Sequence, residues 1–113
     1  MNEFSNKICN QLIDEIFSQI EKLGSVSTSV GYADGSWGIK VSKHSVCLYG
    51  YAAENLTRQF ENIGLELISK EEYDQASEFK NPTEVLKHFS MSQLSELYEA
   101  GHYNLEKNKK KNI

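Results

Sequence analysis

Residues 46–56, "VCLYGYAAENL", decide how the middle of this chain folds, because the pattern changes within them. As far as Tyr51 the stretch alternates with period two, placing Val46 and Leu48 on one face and Cys47, Tyr49 and Tyr51 on the other. From Ala52 the apolar spacing becomes helical. Reading back from Val46, the same alternation runs through "SVSTSVGYADGSWGIKVSKHS". Val26, Thr28, Val30 and Tyr32 share one phase, and Trp37, Ile39 and Val41 share the next. Asp34-Gly35 and Lys43-His44 interrupt it. Asp-Gly between alternating runs is a hairpin signal, since glycine accepts the positive φ of a tight turn. The stretch therefore predicts a three-stranded antiparallel meander. One face is apolar; the other is rich in serine and carries Lys40, Tyr49 and Tyr51.

Outward from this meander the chain reads as helix. Phe4, Ile8, Leu12, Ile16 and Ile20 recur every four residues, and Ile13, Phe17 and Leu23 widen the stripe, predicting an amphipathic helix over 3–23 that ends at Gly24. Leu56, Phe60 and Ile63 mark a short helix closed by Gly64. "LELIS" predicts a fourth strand. Ser69-Lys70-Glu71-Glu72 has the form of a capping box and predicts a helix to Phe79. Asn81-Pro82 starts a further helix with Val85, Leu86 and Phe89 on its apolar side. Ser90-Met91-Ser92-Gln93, a second capping box, opens a last helix carrying Leu94, Leu97 and Tyr98 and ended by Gly101. Beyond Tyr103 the chain is expected to fray. The order α-β-β-β-α-β-α-α-α is an α+β fold.

Length and composition fit one domain, expected over residues 1–106, with 107–113 as a basic, flexible tail. The 113 residues are 39% hydrophobic and 25% charged, the balance of a globular chain that needs no staple. No run approaches a membrane span, and the first residues carry Glu3, Asp14 and Glu15 without an apolar core. A cytoplasmic location and no membrane partner are therefore expected. Cys9 and Cys47 are then expected free and buried rather than bridged. Charge is unevenly spread. Residues 1–106 hold all sixteen acids against eight bases, a balance of −8, whereas "KNKKKNI" adds four lysines and no acid.

The candidate chemistries thin out quickly. No serine or cysteine stands in a recognisable relation to His44, His88 or His102, so no catalytic residues are assigned. Two cysteines 38 positions apart lack zinc-site spacing, and no cofactor or metal is expected. "GYADGSWG" has neither the glycine spacing nor the Gly-Lys-Ser/Thr ending of a phosphate loop. Strand aromatics stack bases in some RNA-binding folds. Here Tyr32 and Trp37 fall in phase with the core and the body is acidic, so direct nucleic-acid binding is not expected.

Two features remain. Serines with Tyr49 and Tyr51 have the composition of recognition surfaces, in which tyrosine supplies contact area at low entropic cost; alternatively the C-terminal helices cover that face. Glu71, Glu72, Asp74 and Glu78, with Glu61 and Glu66 upstream, are either a solvated helix face or a docking surface for a basic partner. A compact acidic α+β body carrying "ELISKEEYDQASEF" resembles the small bacterial immunity proteins that neutralise co-encoded toxins, including those of contact-dependent inhibition. The likeness is one of type, carried by size, charge and that acidic stretch. It implies a protein inhibitor that occludes the active site of a cognate toxin, a basic nuclease domain. Its partner-binding residues would be Tyr49, Tyr51, Glu66, Glu71, Glu72, Asp74 and Glu78. The chain is similar in the same way to acidic type III secretion chaperones, which are usually dimers holding an unfolded client segment. A small enzyme using His44, His88 or His102 is the alternative from another class.

Overall fold

A computed structural model of the chain describes residues 3–32, 35–71 and 76–111. Helix α1 (Glu3–Leu23) leads into a meander of β1 (Ser25–Tyr32), β2 (Gly35–Ser42) and β3 (Ser45–Gly50). Helix α2 (Tyr51–Asn62) follows, then β4 (Leu67–Glu71), β5 (Ala76–Lys80), α3 (Pro82–Leu86) and α4 (Met91–Lys111). The five strands form one antiparallel sheet in the order β1-β2-β3-β5-β4. The α+β class, the leading helix, the meander and the C-terminal helices all stand as the sequence implies.

All the helices that contact the sheet pack on one face, and the core lies between the two layers. Val26, Ile39, Val41, Val46, Leu48 and Phe79 face inward from the sheet. They meet Ile13, Ile16 and Ile20 of α1, Ala52, Ala53 and Phe60 of α2, Val85 and Leu86 of α3, and Leu94 and Leu97 of α4. Each of the larger of these side chains contributes about 1.5–3 kcal/mol by leaving water. Phe60 lies edge-on to Phe79, with ring centroids 5.6 Å apart, and stacks on Phe89 at 6.1 Å. The capping box at Ser90 forms in full. The Ser90 amide donates to Gln93 Oε1 at 2.9 Å, and the Gln93 amide donates to Ser90 Oγ at 3.1 Å.

Several expectations are corrected. The helix read from Ser69 to Phe79 is instead the β4–β5 hairpin, and the fourth strand begins at Leu67 rather than Leu65. A helix there would gather only Tyr73, Ala76 and Phe79 into a thin apolar stripe. As a strand, the segment pairs Phe79 with Val46, buries it completely and fills the place beside β3. Tertiary burial overrides the local capping signal. Gly101 does not end α4. It lies buried within the helix, where α1 approaches closely and a Cβ would overlap the Gln19 carboxamide. Nor does the helix stop near Tyr103: α4 continues to Lys111, and Lys109 pairs with Glu106 at 3.6 Å. Cys9 and Cys47 are free but half-buried rather than buried.

Among the described residues no helix is long and apolar enough to cross a membrane.

Candidate functional site

Because the helices gather on one side, the other face of the sheet is open, and its side chains can be read directly from the strand registers. One row across all five strands is Ser27, Lys40, Cys47, Glu78 and Ser69. The next is Ser29, Gly38, Tyr49, Ala76 and Glu71. A third joins Ser25 to Ser42 and Ser45 to Lys80. An antiparallel sheet tolerates such a half-solvated arrangement when alternate residues are small or polar. The alternative that the C-terminal helices cover this face is thereby removed.

The middle of the face is a small polar network. Glu78 accepts a hydrogen bond from Ser45 Oγ at 2.9 Å and a longer one from Cys47 Sγ at 3.5 Å. Ser45 Oγ lies 3.3 Å from Ser42 Oγ. Burial pushes the Cys47 thiol up from its ordinary pKa. The Tyr49 hydroxyl and Lys40 oppose the shift, and the charge and hydrogen bond of Glu78 reinforce it. Burial also raises the Tyr49 phenol, with Cys47 and Glu78 acting in the same sense. Both groups are therefore protonated at neutral pH. A protonated thiol is a poor nucleophile, so Cys47 reads as a hydrogen-bonding member of the surface and not as a reactive centre.

Beside this network the face dips into an open trough of about 500 Å3. Gly38 forms its floor; Ser27, Ser29, Lys40 and Tyr49 supply the sides. A Cβ placed on Gly38 would stand 3.6 Å from Cδ2 of Tyr49, so the tyrosine ring lies across the bare strand. Tyr49 nevertheless remains 42% exposed, which leaves much of one ring free for a partner.

The residues expected to bind a partner fall into separate places. Tyr49, Glu71 and Glu78 share the open face. Tyr51 does not. Gly50, with φ 57° and ψ −126°, ends β3 and swings the chain over the end of the sheet, so that Tyr51 is the first residue of α2. There it lines a second hollow, on the helical side, with Trp37, Asn55, Leu56 and Gln93. The positive φ of Gly50 breaks the alternation that the sequence extends to Tyr51. Glu66 precedes β4 and is held by Lys80 at 3.1 Å. Glu61, at the end of α2, lies 3.9 Å from Lys70. Glu72 and Asp74 lie outside the described residues, between Glu71 and Ala76, which pair with each other at one end of the sheet. Glu78 belongs to the site, but as a half-buried strand residue rather than part of a helix face. Lys40 and Cys47 join it there; period-two alternation over 76–80 was the available signal for that arrangement.

The histidines do not converge. His44 sits exposed between β2 and β3, His88 lies against Phe60, and His102 stacks on Tyr98 with centroids 6.2 Å apart. Among the described residues no three His, Cys, Asp or Glu side chains are placed to hold a metal ion. The chain matches no known protein family, no curated protein and no solved structure.

Proposed function

We propose that this chain acts by binding another protein: an inhibitor of the immunity type that docks on a basic toxin domain, a nuclease, and occludes its active site. The observation that carries the reading is the uncovered sheet face, where an exposed tyrosine on β3 shares the surface with a buttressed carboxylate on β5 and an exposed one on β4. Tyr49 is the anchor, since tyrosines dominate the energetics of many interfaces. Glu78 is held in place by Ser45 and Cys47, and Glu71 is exposed at the strand end. In the sequence Glu72 and Asp74 follow Glu71 within three residues, a local run of acids. Such a cluster presents to a nuclease cleft the charge that its phosphate substrate would bring. The step from binding module to immunity protein rests on the small size, the −8 balance of residues 1–106 and the type of fold.

Co-expression with the protein encoded beside it, followed by sizing of the tagged eluate, tests this reading. A one-to-one complex, with cells surviving only when both are made, is the expected result. Tyr49→Ala should then weaken binding about 30-fold, the equivalent of about 2 kcal/mol at an interface anchor. Glu71→Lys should slow association and flatten its salt dependence, with the melting temperature unchanged in both variants. A complex indifferent to both changes would remove this face from the interface. A client held unfolded would indicate a chaperone instead.

A further inference from the structure

The two edges of the sheet are built differently. β4 is five residues long, breaks register between Leu67 and Ser69, and carries Lys70 and Glu71. A bulge, charged side chains and a short strand are the devices that stop a free edge from pairing with another chain. β1 has none of them. It runs unbroken in register with β2 from Ser25↔Ser42 to Tyr32↔Gly35. Its sequence, SVSTSVGY, contains no charge and no proline. Among the described residues, no hydrogen bond reaches β1 from any element other than β2.

We propose that β1 is the contact by which a second copy of this chain joins the first, strand against strand, across a twofold axis. In antiparallel self-pairing, residue i faces residue j with a fixed sum. Every even sum sets residues of one phase opposite residues of the same phase; a sum of 56, for example, sets Ser27 opposite Ser29, Val26 opposite Val30 and Thr28 opposite itself. Ser27 and Ser29, exposed on the open face, would continue the serine surface of the partner copy. Val26, buried on the core face, keeps its phase toward the helices. No like charges meet on β1, so the strand complements itself as a closed twofold contact requires. A basic partner finds no carboxylate on this edge, which is why a second copy is the better occupant. The product is one sheet of twice five strands, with both helical layers on one side and both open faces on the other. Self-association through β1 leaves Tyr49, Glu71 and Glu78 uncovered, so it stands or falls apart from the proposed inhibition.

Sedimentation of the purified full chain from micromolar to submillimolar concentration, with hydrogen exchange read over residues 25–32, provides the test. The mass is expected to rise to twice the 12.9 kDa of one chain. The β1 amides should gain protection at the same concentrations. Ser27→Glu combined with Ser29→Glu places carboxylates close to the axis from both copies. It should return the mass to that of one chain, with the helix and strand signal in circular dichroism intact. Ser69→Glu on β4 should leave the dimer unchanged. A chain that stays monomeric throughout overturns the proposal. So does a dimer that survives the double substitution, or β1 amides whose exchange ignores concentration.

Discussion

Gly101→Ala separates two opposing effects in this fold. In an exposed helix the change would stabilise the protein by about 1 kcal/mol, because alanine restricts the unfolded chain and favours helix. At Gly101 the new Cβ would overlap the Gln19 carboxamide. Gln19 is 4% exposed, and its Nε2 donates to the Tyr98 carbonyl at 2.9 Å. Its Oε1 is buried without a partner among the described residues, so the carboxamide is already short of hydrogen bonds. Moving it breaks the Tyr98 contact and strands a buried amide, costing about 1–3 kcal/mol. Repacking α1 against α4 adds about 1 kcal/mol, the low end for overfilled cores, since the obstructing group is the tip of a flexible side chain. Set against the propensity gain, the net loss is about 1–3 kcal/mol. At roughly 4 °C per kcal/mol for a domain near this size, the melting temperature falls by about 4–12 °C. Thermal and urea unfolding of the single variant, Gln19→Ala and the double variant complete a cycle. The double variant should lose less than the sum of the singles, because truncating Gln19 vacates the space. If Gly101→Ala instead raises stability by about the helix-propensity increment, the close approach of α1 and α4 is refuted.

Gly50→Ala should cost about 1–3 kcal/mol, because an L side chain is strained at φ 57°, ψ −126°. A urea midpoint equal to that of the parent protein would show that β3 and α2 do not require this turn. The pH dependence is set by Cys47 and Tyr49, whose folded pKa values lie above their ordinary ones. Their contribution to stability is complete below the ordinary thiol and phenol ranges and is lost as pH rises through the folded values. Urea midpoints should therefore fall as pH rises through the ordinary thiol and phenol ranges and beyond them, and fall less in Cys47→Ser, which keeps Tyr49 but has no thiol to titrate. Equal slopes would exclude Cys47. In the same way, alkylation of Cys47 should be slow at neutral pH and accelerate only in alkali; rapid labelling at neutral pH would contradict a protonated, hydrogen-bonded thiol.

The parts of the fold legible in the sequence are those where the local pattern and the burial demand agree. Val26, Ile39, Val41, Val46 and Leu48 alternate in the sequence and alternate in the sheet. Ser90 and Gln93 form a capping box because both partners lie within one turn. Residues 69–79 carry the opposite lesson. Ser69 and Glu72 look like helix-starting residues, whereas the reason for a strand lies far away, in the inner edge of β3 and the Phe60 ring. Ser77 shows the same limit. It is a buried serine on the core face, tolerated because Thr57 Oγ1 donates to its Oγ at 2.9 Å from α2. No local rule announces that pairing. Gly101 likewise reads as a helix stop until α1 is placed beside it.

The candidate site was legible in composition but not in grouping. Serine alternation marks a solvent-facing strand surface, and Tyr49 lies on it as its phase requires. The two tyrosines, two residues apart, should share a face by strand periodicity, yet one glycine sends the second to the opposite side of the sheet. Glu78 moves the other way, from a presumed helix to the centre of the open face, where Ser45 and Cys47 fix its carboxylate. That exchange changes what a partner would meet. A pair of neighbouring tyrosines would make a broad aromatic patch with little preference for charge. A single tyrosine with a buttressed carboxylate on the next strand and an exposed one on the strand beyond makes a smaller surface with a defined sign. On such a surface the tyrosine governs how long a complex lasts, and the carboxylates govern how fast it forms. The separation of those two effects, in dissociation for Tyr49→Ala and in salt-dependent association for Glu71→Lys, is the kinetic signature that distinguishes this face from any other acidic patch on the molecule.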